Sequence, residues 1–148
     1  MSEHSLPQTP RQIWMGLLAR APAARLAELC PDLPPHEVLR APEVGAVMVE
    51  GRIGGTGQPF NLGEMTVTRC ALRVGSLVGH AYVQGRDKDH ARRAAVLDAL
   101  LQGDQAARYR RQVLDILQAE ETTARATRAA KAAATKVEFF TLVRGDDQ

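Results

Sequence analysis

A glycine-rich segment carries the densest set of groups suited to binding an anion. Residues 51–57 read Gly-Arg-Ile-Gly-Gly-Thr-Gly, which places Arg52 and Thr56 among Gly54, Gly55 and Gly57. Glycines allow backbone N–H groups to converge on an anion, and the arginine and threonine add side-chain donors. The segment is not a Walker A loop, because no Gly-Lys-Ser/Thr follows it. The alternative is an ordinary connection between two strands, since tight turns require glycine in any case.

A second polar cluster lies at residues 84–90, where a predicted strand gives way to a predicted helix. Asp87 is a typical N-cap, so we expect the helix to begin at Lys88. A helix N-terminus favours anions, and Arg86 and Lys88 would reinforce it. His90 falls on the first turn, where a neutral ring would be an acceptor. Arg86, Lys88 and His90 are therefore candidate anion contacts, and the alternative is a capped helix start with solvated charges.

The remaining reactive side chains match no known catalytic or metal pattern. The four histidines show no metal-ligand spacing with one another or with Cys30 and Cys70, so we expect no metal site and two reduced, buried thiols. No Ser-His-Asp or Cys-His arrangement can be recognised, and the catalytic residues stay unknown. Arg69 and Arg73 share one face of a predicted strand, where they could pair with Glu50 or Glu64. A solvated or partner-facing sheet surface is favoured there, and the alternative is a catalytic row.

The elements that must position these groups predict an α+β fold. Thr9 and Pro10 mark the start of a first helix, and residues 23–29 predict a second. Residues 44–52, 64–74 and 78–84 predict an antiparallel sheet of about three central strands. Residues 88–102 predict a central helix with an apolar face. A further helix follows, so N-terminal and central helices are expected to pack on the sheet.

The chain divides by composition into three parts. Residues 1–10 form a polar tail, residues 11–120 the α+β domain, and residues 121–148 an Ala/Arg-rich helix with a strand-like end. That end is apolar while the preceding helix has little large apolar surface, so we predict a C-terminal strand that docks on a partner. The candidate docking residues are Val137, Phe139, Phe140, Leu142, Val143 and Arg144.

The composition argues against a nucleic-acid-binding or membrane-spanning protein. The net charge is +2, with 19 basic and 17 acidic residues, which gives no case for a nucleic-acid binder. The chain of 148 residues opens on a polar stretch and contains no apolar run long enough to span a bilayer. The sequence therefore predicts a soluble, cytoplasmic protein with no membrane or nucleic-acid partner.

Several segments, taken in order, resemble one family. They are Arg11-Gln12 with Trp14-Met15, residues 40–45, residues 54–57 with Phe60, residues 63–69, residues 84–88 with His90-Ala91, residues 98–100 with Gln102, and residues 136–146. Together they are similar to PhnG, the G subunit of the carbon–phosphorus lyase system that degrades phosphonates. The order of the segments and the ending FFTLVRGD at residues 139–146 carry the resemblance.

The resemblance implies a role inside a cytoplasmic assembly with the H, I and J subunits, of which I matters most. That system converts ATP and a phosphonate to a ribose 1-phosphonate 5-triphosphate and releases adenine. The implied role is an accessory subunit of a transferase, with no cofactor on this chain and MgATP as substrate of the assembled complex. Two alternatives stay open: direct contact of residues 54–57 and Arg86 with the ATP phosphates, and a stand-alone protein-interaction domain.

Overall fold

The computed structural model describes residues 7–52 and 56–145, with side chains described for all of these except Arg52 and residues 137–145. The centre of the fold is an antiparallel sheet of three strands, in the order β1 (Glu37–Arg52), β2 (Pro59–Val74) and β3 (Leu77–Gln84). Gly75 makes the tight β2–β3 turn with a φ of 61°, a conformation that glycine adopts without strain. The predicted α+β fold with three antiparallel strands is confirmed.

The two N-terminal helices are α1 (Pro10–Arg20) and α2 (Ala23–Leu29). A capping box starts α1: the Thr9 hydroxyl accepts from the Gln12 N–H, and the Gln12 side chain accepts from the Thr9 N–H. Proline at the first helical position suits this start, because its missing N–H would have no partner there. Both helices lie where the sequence predicted them.

One face of the sheet is covered by helices. Among the helices, α3 (Lys88–Leu100) packs most extensively on the sheet, against β2 and β3. The alternation of β2 and β3 sends one set of side chains towards that helix. Those inward-facing residues are Thr68, Cys70, Leu72, Ala81 and Val83. Leu17, Leu18 and Leu26 from the first two helices join this core, and so do Tyr109, Val113, Leu114 and Leu117 from the segment after α3. Because the inward-facing residues of β2 and β3 lie on the α3 side, the opposite face of the sheet is left exposed to solvent.

The first two strands reach well beyond the third. Pairing of β2 with β3 begins at Val67, opposite Gln84, whereas β2 itself begins at Pro59. About 26 Å of extended strand separates Pro59 from Val67. Residues 45–52 and 59–66 therefore form a two-stranded ribbon, here named the β-arm, with a register shift between Val49 and Glu50. The residues that join its strands form its tip.

The chain ends in helix rather than in strand. After α4 (Ala106–Tyr109) and a π-helical turn (Arg110–Leu114), α5 runs from Asp115 to Gly145. The predicted docking strand at residues 137–143 is therefore wrong, because these residues continue α5. Extending an existing helix satisfies each new backbone group within the segment, whereas a strand needs a neighbouring strand. No described helix is long and apolar enough to cross a membrane.

Candidate functional site

The glycine-rich cluster lies at the tip of the β-arm. Arg52 ends β1 and Pro59 begins β2, so Thr56 and Gly57 lie between the two strands, beyond the part of β2 that pairs with β3. Thr56 is exposed and Gly57 is half-buried. Gly54 and Gly55 lie outside the described residues, and so does the side chain of Arg52. The position of this cluster is thus set by the length of the arm and not by the core.

The second cluster splits into an exposed part and a buried part. The Asp87 carboxylate caps α3 by accepting from the His90 N–H at 2.9 Å. His90 is 6% exposed, and its ring Nε2–H donates to the Leu18 carbonyl oxygen at 2.9 Å. Arg86 and Lys88 are exposed, and neither makes an ion pair within the described part of the chain. His90 therefore ties α3 to α1, and Arg86 and Lys88 are left as surface cations.

The two candidate anion clusters are not brought together. Gly85 follows β3 directly, and its N–H donates to the Thr66 carbonyl oxygen at the base of the β-arm. The glycine-rich cluster lies beyond Pro59, at the other end of the arm, about 26 Å of strand away. One phosphate group cannot contact both clusters of the same chain. Thr56 and Gly57, the described residues of the glycine-rich cluster, therefore do not meet Arg86 within this chain.

The arginine row on the open face of the sheet is held by ion pairs. Arg69 pairs with Glu43 at 3.2 Å, and Arg73 pairs with Glu37. Hydrogen bonding to Tyr82, and then to Glu43, raises the pKa of the Arg69 guanidinium. The predicted partners Glu50 and Glu64 were wrong, because the register places Glu43 opposite Arg69 and Glu37 opposite Arg73. These residues are cross-strand pairs of an open sheet face.

A buried carboxylate that the sequence analysis did not assign lies at the centre of the polar interactions. Asp98 is completely buried on α3 and accepts four hydrogen bonds. Oδ1 accepts from Arg11 Nε at 3.2 Å and from Trp14 Nε1 at 2.8 Å. Oδ2 accepts from Arg11 Nη2 at 2.8 Å and from the His80 backbone N–H at 2.9 Å. The bond to Asp98 raises the pKa of Arg11. Asp98 therefore joins α1, α3 and β3.

The same network extends to the end of α3. Gln102 Nε2 donates to the carbonyl oxygens of Val78, at 2.8 Å, and Asp98, at 3.0 Å. Four side chains that carried the family resemblance, Arg11, Trp14, Asp98 and Gln102, thus belong to one network. A sequence signal for it exists: Asp98 is the single charged residue in the otherwise apolar run 94–101. Since all four donors to Asp98 come from the chain itself, its role is to hold the fold.

The described residues contain no group of three or more metal-ligating side chains. Cys30 and Cys70 are free thiols and both are buried. Burial raises the pKa of each thiol, and nearby Arg93 and Arg92 oppose the rise for Cys30 and Cys70 respectively. Both cysteines are therefore neutral core residues at neutral pH.

A family model and a curated protein give the same assignment. The family model described as "Phosphonate metabolism protein PhnG" matches residues 9–145. A curated protein of Rhizobium meliloti (strain 1021), named alpha-D-ribose 1-methylphosphonate 5-triphosphate synthase subunit PhnG, is 44% identical over 148 aligned positions. That alignment covers 93% of this chain and 90% of the relative.

Proposed function

The chain belongs to the PhnG family, and from this premise we propose that it is a subunit of an alpha-D-ribose 1-methylphosphonate 5-triphosphate synthase in phosphonate catabolism. The observation that carries the proposal is the 44% identity to a subunit of that name along nearly the whole chain. The matched segments include the side chains that surround Asp98. The family match at residues 9–145 therefore spans the sheet and the helices that pack on it.

Within the enzyme, the proposed role is accessory. The most fully satisfied polar cluster of the described structure, around Asp98, is occupied by donors from the chain itself and has no place for a substrate. The transfer of the phosphonate to ribose, with loss of adenine from MgATP, is then performed on other subunits. The H, I and J subunits are the proposed partners, with I the most important, and the assembly is proposed to be cytoplasmic.

Contact with the triphosphate is the second candidate role, and two separate surfaces support it. Arg86 and Lys88 offer exposed positive charge at the N-terminus of α3, where backbone N–H groups already favour an anion. Arg52, Gly54, Gly55, Thr56 and Gly57 would act separately, from the tip of the β-arm. His90 is the weakest of the former candidates, because its Nε2–H is used by the Leu18 carbonyl.

Assembly with the I subunit is the experiment that tests the proposal. We expect the full chain to co-purify with a co-expressed I subunit, in support of the family assignment. Removal of residues 136–148 should abolish the interaction if Val137, Phe139, Phe140, Leu142, Val143 and Arg144 dock as proposed, now as the end of a helix. Failure of the full chain to co-purify with any of the H, I and J subunits would favour the stand-alone interaction domain.

A further inference from the structure

The β-arm is a two-stranded ribbon that no other described element covers. β3 pairs with β2 from Val67 onwards, so the described chain adds no third strand beside residues 59–65. An isolated two-stranded ribbon is at best marginally stable in water. The arm nevertheless exposes large apolar side chains, including Val47 (39% exposed), Phe60 (42%) and Leu62 (63%). Such a surface is typical of a binding site for another protein.

Most of the exposed apolar side chains of the arm lie on one face, and Met48 lies on the other. A Cβ at Gly51 would meet the Phe60 ring and Leu62 Cδ1, each at 3.1 Å, so both side chains lie on the Gly51 side of the ribbon. Alternation along β1 puts Val47 and Val49 on that same side. These five residues define what we name the apolar arm face.

The opposite face of the arm carries two carboxylates beside the exposed Met48. Glu64 lies across from Met48, and Glu50 follows on the same side of β1 by alternation. Both carboxylates are exposed, and neither forms an ion pair with a residue whose side chain is described. The arm thus presents an apolar side backed by negative charge, whereas the glutamates nearer the body are neutralised by Arg69 and Arg73.

From this pattern we infer that the β-arm docks into an apolar groove of another subunit of the synthase, with basic residues of that subunit facing Glu50 and Glu64. The inference rests on the proposed function, which supplies a different polypeptide as the occupant. A second copy paired arm to arm fits less well, because it would place Glu50 and Glu64 of both copies in the same interface. Electrostatic complementarity of this kind sets which partner binds.

The decisive variant is Leu62→Asp in the full chain, co-expressed with the H, I and J subunits. Leu62 is the most exposed large apolar residue described, so the variant should keep the circular dichroism spectrum of the wild type. We expect its affinity for the purified partner subunits to fall about 30-fold or more, as for a central interface residue. Glu64→Lys should also weaken binding, and the loss should shrink as salt concentration rises.

Ile13→Asp is the matched control, because Ile13 is 49% exposed but lies on α1, away from the arm. It should assemble like the wild type. Normal assembly of Leu62→Asp would overturn the docking inference and leave the proposed function intact. A dimer of the chain alone that Leu62→Asp dissociates, with normal subunit assembly, would show that a second copy occupies the face and would also overturn it. Failure of the wild type to assemble would overturn both proposals.

Discussion

Asp98 is a fully buried carboxylate that forms an ion pair with Arg11. Burial of a charged group costs free energy unless the group is paired and hydrogen-bonded, and here four donors from α1 and β3 meet the carboxylate. The arrangement also fixes the orientation of α1, because Arg11 and Trp14 lie on that helix.

Asp98→Asn should strongly destabilise the chain. The amide removes the negative charge and turns an NH₂ group towards donors that need an acceptor, so we expect a loss of about 3 kcal/mol in the free energy of unfolding. Urea denaturation followed by circular dichroism measures it. Asp104→Asn is the control, because Asp104 is exposed, and it should change stability by less than about 0.5 kcal/mol. Equal stability of the two variants would contradict the role given to Asp98.

The buried thiols make stability depend on pH above neutrality. Cys30 and Cys70 are 1% and 2% exposed, and burial raises their pKa in the folded state. The stabilising contribution of the two thiols to the free energy of unfolding is therefore complete below the unfolded thiol pKa of about 8.5. It is lost as pH rises beyond that value, because the thiols ionise readily only in the unfolded chain.

The unfolding free energy of the wild type should thus fall between pH 8 and pH 10 more steeply than that of a Cys30→Ala/Cys70→Ala variant. The excess slope approaches about 1.4 kcal/mol per pH unit for each thiol once the unfolded thiol is ionised. Denaturation at a series of pH values measures both slopes. Parallel curves for the two proteins would contradict buried thiols with raised pKa values.

Residues whose role is local could be predicted, and residues whose role depends on distant segments could not. The caps at Thr9 and Asp87 were found from sequence because a cap acts on the N–H groups two or three residues away. His90 was placed on the correct helix, but its partner Leu18 is distant in the chain. The partners of Arg69 and Arg73 depend on register shifts in β1 that no residue pattern indicates.

At the scale of elements, the packing of α3 on the sheet depends on one glycine. A Cβ at Gly79 would overlap the Ala95 carbonyl oxygen and lie 2.9 Å from the Ala99 nitrogen. Both are backbone atoms of α3, so the helix would have to move away from β3. We expect Gly79→Ala to cost about 1–3 kcal/mol through overpacking.

Gly45→Ala is the matched control, because nothing lies within 4 Å of a Cβ at that position. Its effect should stay within about 0.5 kcal/mol. Thermal unfolding of the two variants side by side gives the comparison, and an unchanged melting temperature for Gly79→Ala would show that α3 does not require this close approach.

The three strands were predicted from their β-branched residues and turn glycines, yet β1 and β2 begin earlier than predicted. β1 starts at Glu37 rather than Val44, and β2 at Pro59 rather than Glu64. The added residues include Pro42, Pro59, Gly63 and charged side chains, which lower strand propensity and are compensated by pairing. At the C-terminus the aromatic residues led to a predicted strand, whereas the structure shows that α5 continues to Gly145.

At the scale of the whole molecule, two elements extend away from a compact centre. The β-arm carries an apolar face, and in α5 residues 122–136 are all exposed. The helix-covered half of the sheet, with Asp98 at its centre, is complete in itself. This division of the molecule supports an account in which the body maintains the fold and the extensions meet other subunits.

The central claim is that this chain is a required but non-catalytic subunit of the synthase. The most direct measurement is adenine release from MgATP and methylphosphonate by the co-purified partner subunits, with and without this chain. The account predicts release when the chain is present, little or none when it is omitted, and none from the chain alone. Full activity of the partners without the chain, or adenine release by the isolated chain, would contradict it.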